Sequence, residues 1–347
     1  MPRLKFPEIK GLALPALQRM GCSEQESIEI LQSLYLADLM GHHSHGVGMI
    51  PRYVESYLAG HLQPNQTIET KNDLGSLLVI DGLLGFGQTV GKQALNLATE
   101  RAFQYGSCVF LLSNAHHLGR IGELAEIAVS KKMASIFFVN VLSRPIVSVW
   151  EGVNGKHGTN PVCIGLPRPN DTPFILDFAT SAVAQGKMRE ACIRKEQVKD
   201  GLLRDSDGNA TNDPSVVVHP DLNGKFGSIF PFGEHKGSGL AIACELLAGA
   251  LSGGGAFNET KLLDKAIVNN LFGVVICIEK IREFESYCNE VEAFVQWIKQ
   301  DRSVETGESP LIAGEPERRR KHASEILGVD ISDETTKQIQ IAIAKLS

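Results

Sequence analysis

The sequence lacks the features that mark membrane, secreted and nucleic-acid-binding proteins. None of its apolar runs approaches the roughly 18 residues that a membrane-spanning helix needs. No long apolar segment follows the first few residues, so a secretory signal is not expected. The formal net charge is −6, and the longest basic run is Arg318-Arg319-Arg320-Lys321, which we interpret as the solvated end of a helix. We therefore expect no membrane partner and no nucleic-acid partner.

Cysteine is scarce as well. The seven cysteines are scattered, with no C-x-x-C pair, which excludes a disulfide framework and predicts reduced, mostly buried thiols. Hydrophobic residues make up 43% of the chain and charged residues 21%, as in ordinary globular proteins. A length of 347 residues exceeds what one core usually covers and predicts two domains. Together these features favour a cytoplasmic enzyme.

Histidine, in contrast, is concentrated in two places. Five of the ten histidines lie in Gly41-His42-His43-Ser44-His45-Gly46 and in the doublet His116-His117. Imidazole titrates near neutral pH, so two such clusters indicate a proton-transfer site assembled from separate parts of the chain. A zinc site is the weaker interpretation, because the first cluster is too compact for its side chains to converge and no H-E-x-x-H motif is present. We expect no bound metal, but a metal-dependent hydrolase remains the alternative from another class.

Periodicity predicts a mixture of helices and strands. The first sixty residues are expected to be helical, with a capping box at 23–26 and a helix end at Gly41. Short apolar runs rich in β-branched residues predict strands at 77–81, 108–113, 135–141, 162–166, 174–178 and 271–278. Helices are predicted at 90–104, 121–132, 236–251, 285–300 and 333–346, with a linker at 305–316.

The glycine-rich run from Gly85 to Gly91 follows a predicted strand and precedes a helix. Its spacing is G-x-G-x-x-x-G, one residue longer than the dinucleotide-binding fingerprint, and no acidic residue is clearly placed about twenty positions later. We therefore interpret it as a turn and helix start. The segment 114–122, which carries Arg120 at another helix start, is a better candidate for an anion site, although an ordinary turn is equally compatible with it.

Taken in order, the motifs resemble those of the malate/L-lactate dehydrogenase family of the non-Rossmann type. The resemblance covers nearly the whole chain and is carried by Ser44-His45-Gly46, His117-Leu118-Gly119-Arg120, Gly158-Thr159-Asn160-Pro161, Asp177-Phe178-Ala179-Thr180-Ser181 and Glu234-His235-Lys236-Gly237. It implies a mixed α/β fold, in which residues 76–304 form a largely antiparallel, non-Rossmann sheet domain that binds the nicotinamide cofactor. Residues 1–75 with 305–347 would form a helical domain made from both chain ends.

The resemblance also implies an activity: hydride transfer between NAD, with NADP as the alternative cofactor, and a small 2-oxo or 2-hydroxy acid, by a homodimer. His45 is the favoured proton donor and His117 the second candidate. The implied cofactor-binding residues are His45, Gly119, Arg120, Ile121, Ile175, Leu176, Asp177, Phe178, Ala179, His235, Lys236, Asn269, Gly314, Glu315, Pro316 and Glu317. The implied substrate-binding residues are Ser44, Met49, Arg52, Tyr53 and Thr159.

One position departs from the family pattern. Many relatives carry an arginine three or four residues beyond the histidine that corresponds to His45, where it can hold a substrate carboxylate. This chain has Met49 there, and its nearest arginine is Arg52. A thioether wall suits a bulkier, less charged substrate, so a hydroxypyruvate- or phenylpyruvate-like acid is expected. Malate or lactate oxidation and cyclic-imine reduction remain the alternatives within the family.

Overall fold

The computed structural model describes residues 3–258 and 266–346. Its helices are α1 Phe6–Arg19, α2 Glu24–Leu39, α3 Ile50–Leu58, α4 Gly87–Tyr105, α5 Ile121–Ser130, α6 Gln185–Arg194, α7 Ser215–Val218, α8 His235–Cys244, α9 Phe284–Lys299, α10 Glu315–Leu327 and α11 Asp333–Ala344. Its strands are β1 Arg3–Leu4, β2 Glu69–Asp73, β3 Leu77–Asp81, β4 Ser107–His116, β5 Met133–Leu142, β6 Val147–Ser148, β7 Gly155–His157, β8 Val162–Leu166, β9 Phe174–Phe178, β10 Leu203–Arg204, β11 Ala210–Thr211, β12 Ser228–Ile229, β13 Val268–Cys277 and β14 Val329–Asp330.

The main sheet has seven strands in the order β2-β3-β4-β13-β5-β8-β9. Strands β3 and β4 run parallel, and every other neighbouring pair in the sheet is antiparallel. Helices α4 and α5 pack against it, over a core that includes Phe110 and Phe137. The sheet is therefore not the doubly wound parallel sheet of a Rossmann fold. This confirms the predicted mixed α/β, largely antiparallel class.

The two chain ends share a second core. Helices α1, α2, α3 and α11 bury Ile9, Leu31, Tyr53 and Ile339, and β1 pairs with β14. Helix α2 begins where the capping box predicts, with the Ser23 hydroxyl accepting from the Glu26 N–H. Strand β2 lies within the range that the sequence assigned to the helical part, yet it pairs with β3 in the main sheet. The exact domain boundaries and the role of each part stay predictions.

Three elements differ from the sequence-based prediction. A small five-stranded sheet, β11-β10-β12-β6-β7, was not expected, because most of its strands are too short to show alternation. Helix α10 begins at the end of the predicted linker and carries the basic run in its interior; it has no buried residue and so no apolar stripe. The predicted helix 236–251 is α8 followed by a π-helical segment, Glu245–Ala250. Within the described ranges, no helix is long and apolar enough to cross a membrane.

Candidate active site

Two of the predicted histidines meet at the junction of the two cores. His45 ends the short 3₁₀ helix His43–His45 that follows α2, and His117 follows the last residue of β4. His45 Nδ1 lies 3.1 Å from His117 Nε2, and the ring planes are inclined by only 8°. We call these two residues the histidine pair. The structure thus brings together side chains that are 72 positions apart in the sequence.

A buried hydrogen-bond chain orients the histidine pair. Gln88 Nε2 donates to the Tyr53 hydroxyl oxygen over 2.6 Å, and that hydroxyl lies 2.8 Å from His117 Nδ1. The Tyr53 hydrogen is then free to be donated to Nδ1, which places the proton of a neutral His117 on Nε2. His117 in turn donates to His45 Nδ1, so the proton of His45 lies on Nε2. That nitrogen has no hydrogen-bond partner among the described residues.

Burial keeps these imidazoles neutral in the ligand-free protein. It lowers the pKa of His45 to about 4, with smaller contributions from the charges of His42 and Arg120. Burial also lowers the pKa of His117 well below its ordinary value, and His45 and Arg52 add to the effect. His117 is only 7% exposed and has a partner on both nitrogens, whereas His45 is half-buried. Of the two, His45 is the one that can present an N–H to a substrate.

A carboxylate fixes the loop that carries His45. The buried Asp38, on α2, accepts the Val47 N–H over 2.8 Å and contacts His43 Nδ1 over 3.0 Å. Burial raises the pKa of Asp38, and the bonds from His43 and Val47 partly offset that rise. A side chain at Gly46 would overlap the Asp38 carboxylate, so glycine is required for the loop to pass this close.

The glycine-rich run at 85–91 lets a helix approach the segment that carries His117. Helix α4 begins at Gly87, and a Cβ atom there would collide with the carbonyl oxygens of His116 and His117. The adjacent Gln88 belongs to the hydrogen-bond chain described above. The run is therefore a turn and helix start, as predicted, whose glycine allows a helix to abut the histidine-bearing segment.

A crevice of about 300 Å³ lies next to the loop that carries His45; His42 of that loop lines it, whereas neither His45 nor His117 does. It is lined by His42, Arg120, Glu126, Ile175, Leu176, Asp177, Leu311, Ile312, Ala313, Gly314, Pro316 and Glu317. The Ile175 N–H donates to the Ala313 carbonyl, which joins β9 to the segment before α10 and forms one wall. The charge of Arg120 influences the pKa of His45, so the crevice and the histidine pair are electrostatic neighbours.

Arg120 and Asp177 set the polarity of the crevice. Arg120 is 5% exposed and pairs with Glu126 over 2.5 Å, while its Nε–H has no partner within the described chain. Burial lowers the pKa of Arg120, but Glu126 and Asp177 outweigh it and the net shift is upward. Burial raises the pKa of Asp177 despite Arg120 and the N–H of Gly122, which donates to it over 2.7 Å. A fixed cation and a carboxylate therefore share one wall.

Only some of the predicted cofactor-binding residues line the crevice. Seven line the crevice: Arg120, Ile175, Leu176, Asp177, Gly314, Pro316 and Glu317. Gly119, Ile121, Phe178 and Ala179 are their chain neighbours, and Glu315 faces a second cavity. His235 and Lys236 are exposed at the start of α8 and do not line the crevice, and the buried Asn269 accepts from the Leu118 N–H. Cofactor binding by these residues stays a prediction.

The predicted substrate-binding residues differ in how they relate to the histidine pair. Arg52 is half-exposed, lies 3.5 Å from Glu55 and acts electrostatically on His117. Ser44 lies so close to Gly186, at the start of α6, that a Cβ on that glycine would meet it. Met49 is partly buried against the helical core, and Tyr53 is 0% exposed and reaches the site only through His117.

For Thr159 the structure shows a structural role: its carbonyl accepts from the N–H and the hydroxyl of Thr180.

Sequence reasoning missed Gln88, Glu126, His42 as a crevice residue and the segment 311–313. The sequence offered one signal for Gln88, a polar residue that lies between glycines at the start of a predicted helix. In the structure Gln88 is 2% exposed. The segment 311–313 carried no signal of its own, because Leu311, Ile312 and Ala313 are apolar residues that carry no recognisable chemistry. Within the described residues, no group of three or more His, Cys, Asp or Glu side chains is arranged to hold a metal ion.

Comparison with known proteins gives a consistent result. The family model described as malate/L-lactate dehydrogenase matches residues 4–340. The Gly46–Pro51 stretch resembles the form found in hydroxycarboxylate dehydrogenase B, and that protein of Escherichia coli K12 is 40% identical over 285 residues, covering 81% of this chain and 77% of its own. L-lactate dehydrogenase of Cupriavidus necator is 35% identical, covering 87% of this chain and 86% of its own. The solved sulfolactate dehydrogenase of Methanocaldococcus jannaschii superposes with a TM-score of 0.86 at 32% identity, over 99% of this chain and 97% of its own.

Proposed function

The chain belongs to the malate/L-lactate dehydrogenase family, and from that premise we propose that it interconverts 2-oxo and 2-hydroxy acids with a nicotinamide dinucleotide. The observation that carries this proposal is the histidine pair, hydrogen-bonded over 3.1 Å beside a crevice of about 300 Å³. A proton donor next to a concave cofactor-sized groove is what carbonyl reduction requires.

The residues of the crevice fit a dinucleotide. Arg120 offers a guanidinium with an unpartnered Nε–H, which suits a pyrophosphate, and Asp177 and Glu317 offer carboxylates that can accept from ribose hydroxyls. When bound, the cofactor supplies the hydride that reduces C2 of the substrate. We take NADH as the first cofactor to test and NADPH as the second.

In this proposal the histidine pair supplies the proton to the substrate oxygen. His45 presents its Nε2–H to the substrate oxygen, because its other nitrogen accepts from His117. The proton that passes to the oxygen as C2 gains the hydride would be returned to His45 Nε2 from solvent, so the imidazole ends the reaction neutral. His117 is held in the matching tautomer by Tyr53, whose own pKa burial raises, so the tyrosine remains protonated. His117 is therefore the positioning partner and His45 the catalytic residue of this proposal. In the oxidative direction the hydrogen bonds of the chain would point the other way, so that His45 Nε2 accepts the proton of the substrate hydroxyl.

For the substrate, we propose a 2-oxo acid with one carboxylate and an uncharged tail, such as hydroxypyruvate or phenylpyruvate. Arg52, the cation that acts on His117, would hold the C1 carboxylate, while Met49 presents a thioether where the family pattern has an arginine. Met49→Arg should shift kcat/KM toward oxaloacetate, relative to phenylpyruvate, by about 1–3 kcal/mol. Met49→Leu is the matched control and should leave the ratio unchanged.

A second candidate substrate class has its own supporting observation. Arg144 and Arg189 both have pKa values lowered first by burial and then by Arg52, so three arginines from different elements lie near one another. A second anionic group on the substrate, as in oxaloacetate, would relieve their repulsion. Preference of the unmodified enzyme for oxaloacetate over phenylpyruvate by tenfold or more would favour this candidate and contradict the role given to Met49.

One panel tests the proposal: consumption of NADH and of NADPH with pyruvate, hydroxypyruvate, phenylpyruvate, oxaloacetate and a cyclic imine. If neither NADH nor NADPH is oxidised with any of these substrates, the proposal is refuted.

We further propose that the enzyme is a cytoplasmic homodimer. Two exposed apolar residues, Ile242 on α8 and Leu246 on the π-helical segment that follows it, support a subunit contact. The molar mass from light scattering tests the dimer, and cell fractionation tests the location.

A further inference from the structure

A second cavity, of about 320 Å³, lies on the other side of the first turn of α10 from the crevice. We call it the rear pocket; it is lined by Arg168, Thr172, Lys299, Glu315, Arg318 and Arg319. Glu315 and Arg318 alternate along the chain with Gly314, Pro316 and Glu317, which line the crevice. The two cavities therefore share one helical turn as a common wall.

Arg168 is the buried cation of the rear pocket. Its side chain is 5% exposed, and Nη2 pairs with Glu292 over 3.0 Å. The remaining nitrogens are not satisfied: Nε and Nη1 have no hydrogen-bond partner in the part of the chain that is described, and Nη1 is 3.9 Å from the nearest carboxylate, that of Glu315. A buried guanidinium with two unpartnered nitrogens, on a residue that lines a cavity, is an incomplete anion-binding arrangement.

The other cations leave the rear pocket with excess positive charge. Lys299 pairs with Glu315 over 2.9 Å. Arg318 donates from Nη1 to the carbonyl of Pro173 over 2.7 Å, and its Nη2 is buried without a partner among the described residues. Arg319 is exposed at the rim. Four cations thus face the two carboxylates Glu292 and Glu315.

The electrostatics of Arg318 agree with this imbalance. Burial is the largest effect and lowers its pKa; Glu315, Glu126 and Glu317 act in the opposite direction, whereas Arg168 lowers the pKa further. An anion in the rear pocket would reverse both effects, because it would solvate the guanidinium and screen the repulsion between the two arginines.

We propose that the rear pocket binds a phosphate group. Guanidinium groups match phosphate oxygens in a bidentate way, and a phosphate dianion balances the two uncompensated charges. Thr172 also lines the pocket, but its hydroxyl already donates to the Pro169 carbonyl over 3.1 Å, so the arginines supply the donors for a phosphate. The phosphate has two sources to distinguish: the 2′-phosphate of an NADPH whose adenosine end reaches from the crevice past the first turn of α10 into the rear pocket, or a free phosphate or small phosphate ester. The first source rests on the proposed function, whereas the second does not.

The test uses the full-length protein, with Arg168→Gln and Arg319→Ala as pocket variants. Arg194→Ala is the matched control, because it removes an exposed arginine on α6 that pairs only weakly with Glu190, at 4.0 Å. Inorganic phosphate is titrated by calorimetry at constant ionic strength, and NADPH and NADH are titrated by fluorescence. Arg319 is exposed, so its variant keeps the test informative if Arg168→Gln fails to fold.

We expect each pocket variant to weaken binding of the phosphate by about tenfold or more, as for a lost charged hydrogen bond, while Arg194→Ala binds like the wild type. If the source is the cofactor, the variants lose affinity for NADPH but not for NADH. If it is free phosphate, they lose affinity for inorganic phosphate, also at saturating NADPH, and bind both cofactors equally. Unchanged binding of all three probes in the variants would overturn the proposal. Failure of the proposed function would instead show as no cofactor oxidation, with phosphate binding intact.

Discussion

Replacing Tyr53 with phenylalanine would test whether the buried hydrogen-bond chain governs catalysis. The ring would keep its edge contacts with Phe86 and His116, at centroid distances of 5.7 Å and 5.2 Å. Only the hydroxyl disappears, which leaves Gln88 Nε2 and His117 Nδ1 without their partner. Each stranded buried group costs about 1–3 kcal/mol, so the unfolding free energy should fall by about 2–6 kcal/mol.

The catalytic effect follows from the tautomer of His117. Without the Tyr53 hydroxyl, nothing fixes the His117 proton on Nε2, and His45 is no longer held as a donor at its own Nε2. We expect kcat to fall by about 10–100-fold, a typical loss when the group that orients a reacting residue is removed. The dissociation constant of the cofactor should change little, because the 0%-exposed Tyr53 does not reach the crevice.

The assay combines urea unfolding, steady-state kinetics and cofactor titration on Tyr53→Phe, Gln88→Leu and the double variant. Residues in one hydrogen-bond network should show a coupling energy of about 0.5–3 kcal/mol. Tyr57→Phe, on the same helix and partly buried in the helical core, is the control and should retain kcat. A Tyr53→Phe enzyme that is destabilised yet keeps kcat within about twofold would refute the orienting role and leave Tyr53 as a packing residue.

Three further outcomes are expected. Alanine in place of either member of the histidine pair should lower kcat by about 10²–10⁴-fold with a smaller effect on cofactor affinity; a normal rate for His45→Ala but not for His117→Ala would exchange the two roles. Burial lowers the pKa of His116 to about 3 from an ordinary 6.5, so only the unfolded chain gains its proton and stability should fall as pH drops through that window, by up to about 1.4 kcal/mol per pH unit. Urea unfolding at pH 7.5 and 4.5 should show a smaller loss for His116→Phe than for the wild type. Gly46→Ala should cost about 1–3 kcal/mol because its Cβ overlaps Asp38, whereas Gly48→Ala, whose Cβ meets only Thr335 Cγ2 at 3.6 Å, should be nearly neutral in thermal unfolding.

Sequence patterns predicted the strands that are short, mostly apolar runs bounded by turn residues. Strands β3, β8 and β9 have the predicted bounds because each is a five-residue apolar run between turn residues. The two-residue strands of the small sheet have no period to detect, and their pairing is long-range. Helix α10 lacks any buried face, so hydrophobic periodicity could not reveal it, although its first turn lines the crevice.

The candidate site was predictable only in part for a related reason. His45, Arg120 and Asp177 lie in sequence motifs, so the sequence alone could identify them as candidate site residues. The bonds that give His45 its direction join residues far apart in the chain, and the separation of Tyr53 from His117 is 64 positions. Such pairings depend on how the two cores pack, which local sequence does not specify.

If the histidine pair acts as proposed, the hydrogen-bond chain makes catalysis depend on the packing of the two cores. His45 and Tyr53 are carried by the helical part, while His117 and Gln88 come from the segments that flank the sheet, so each bond of the chain crosses the junction. Phe86, just before α4, is fully buried in the helical core and anchors Gln88 at this junction. A relative shift of the cores would therefore break all three bonds together. The tautomer of the histidine pair is thus a property of the assembled junction, and neither core alone could set it.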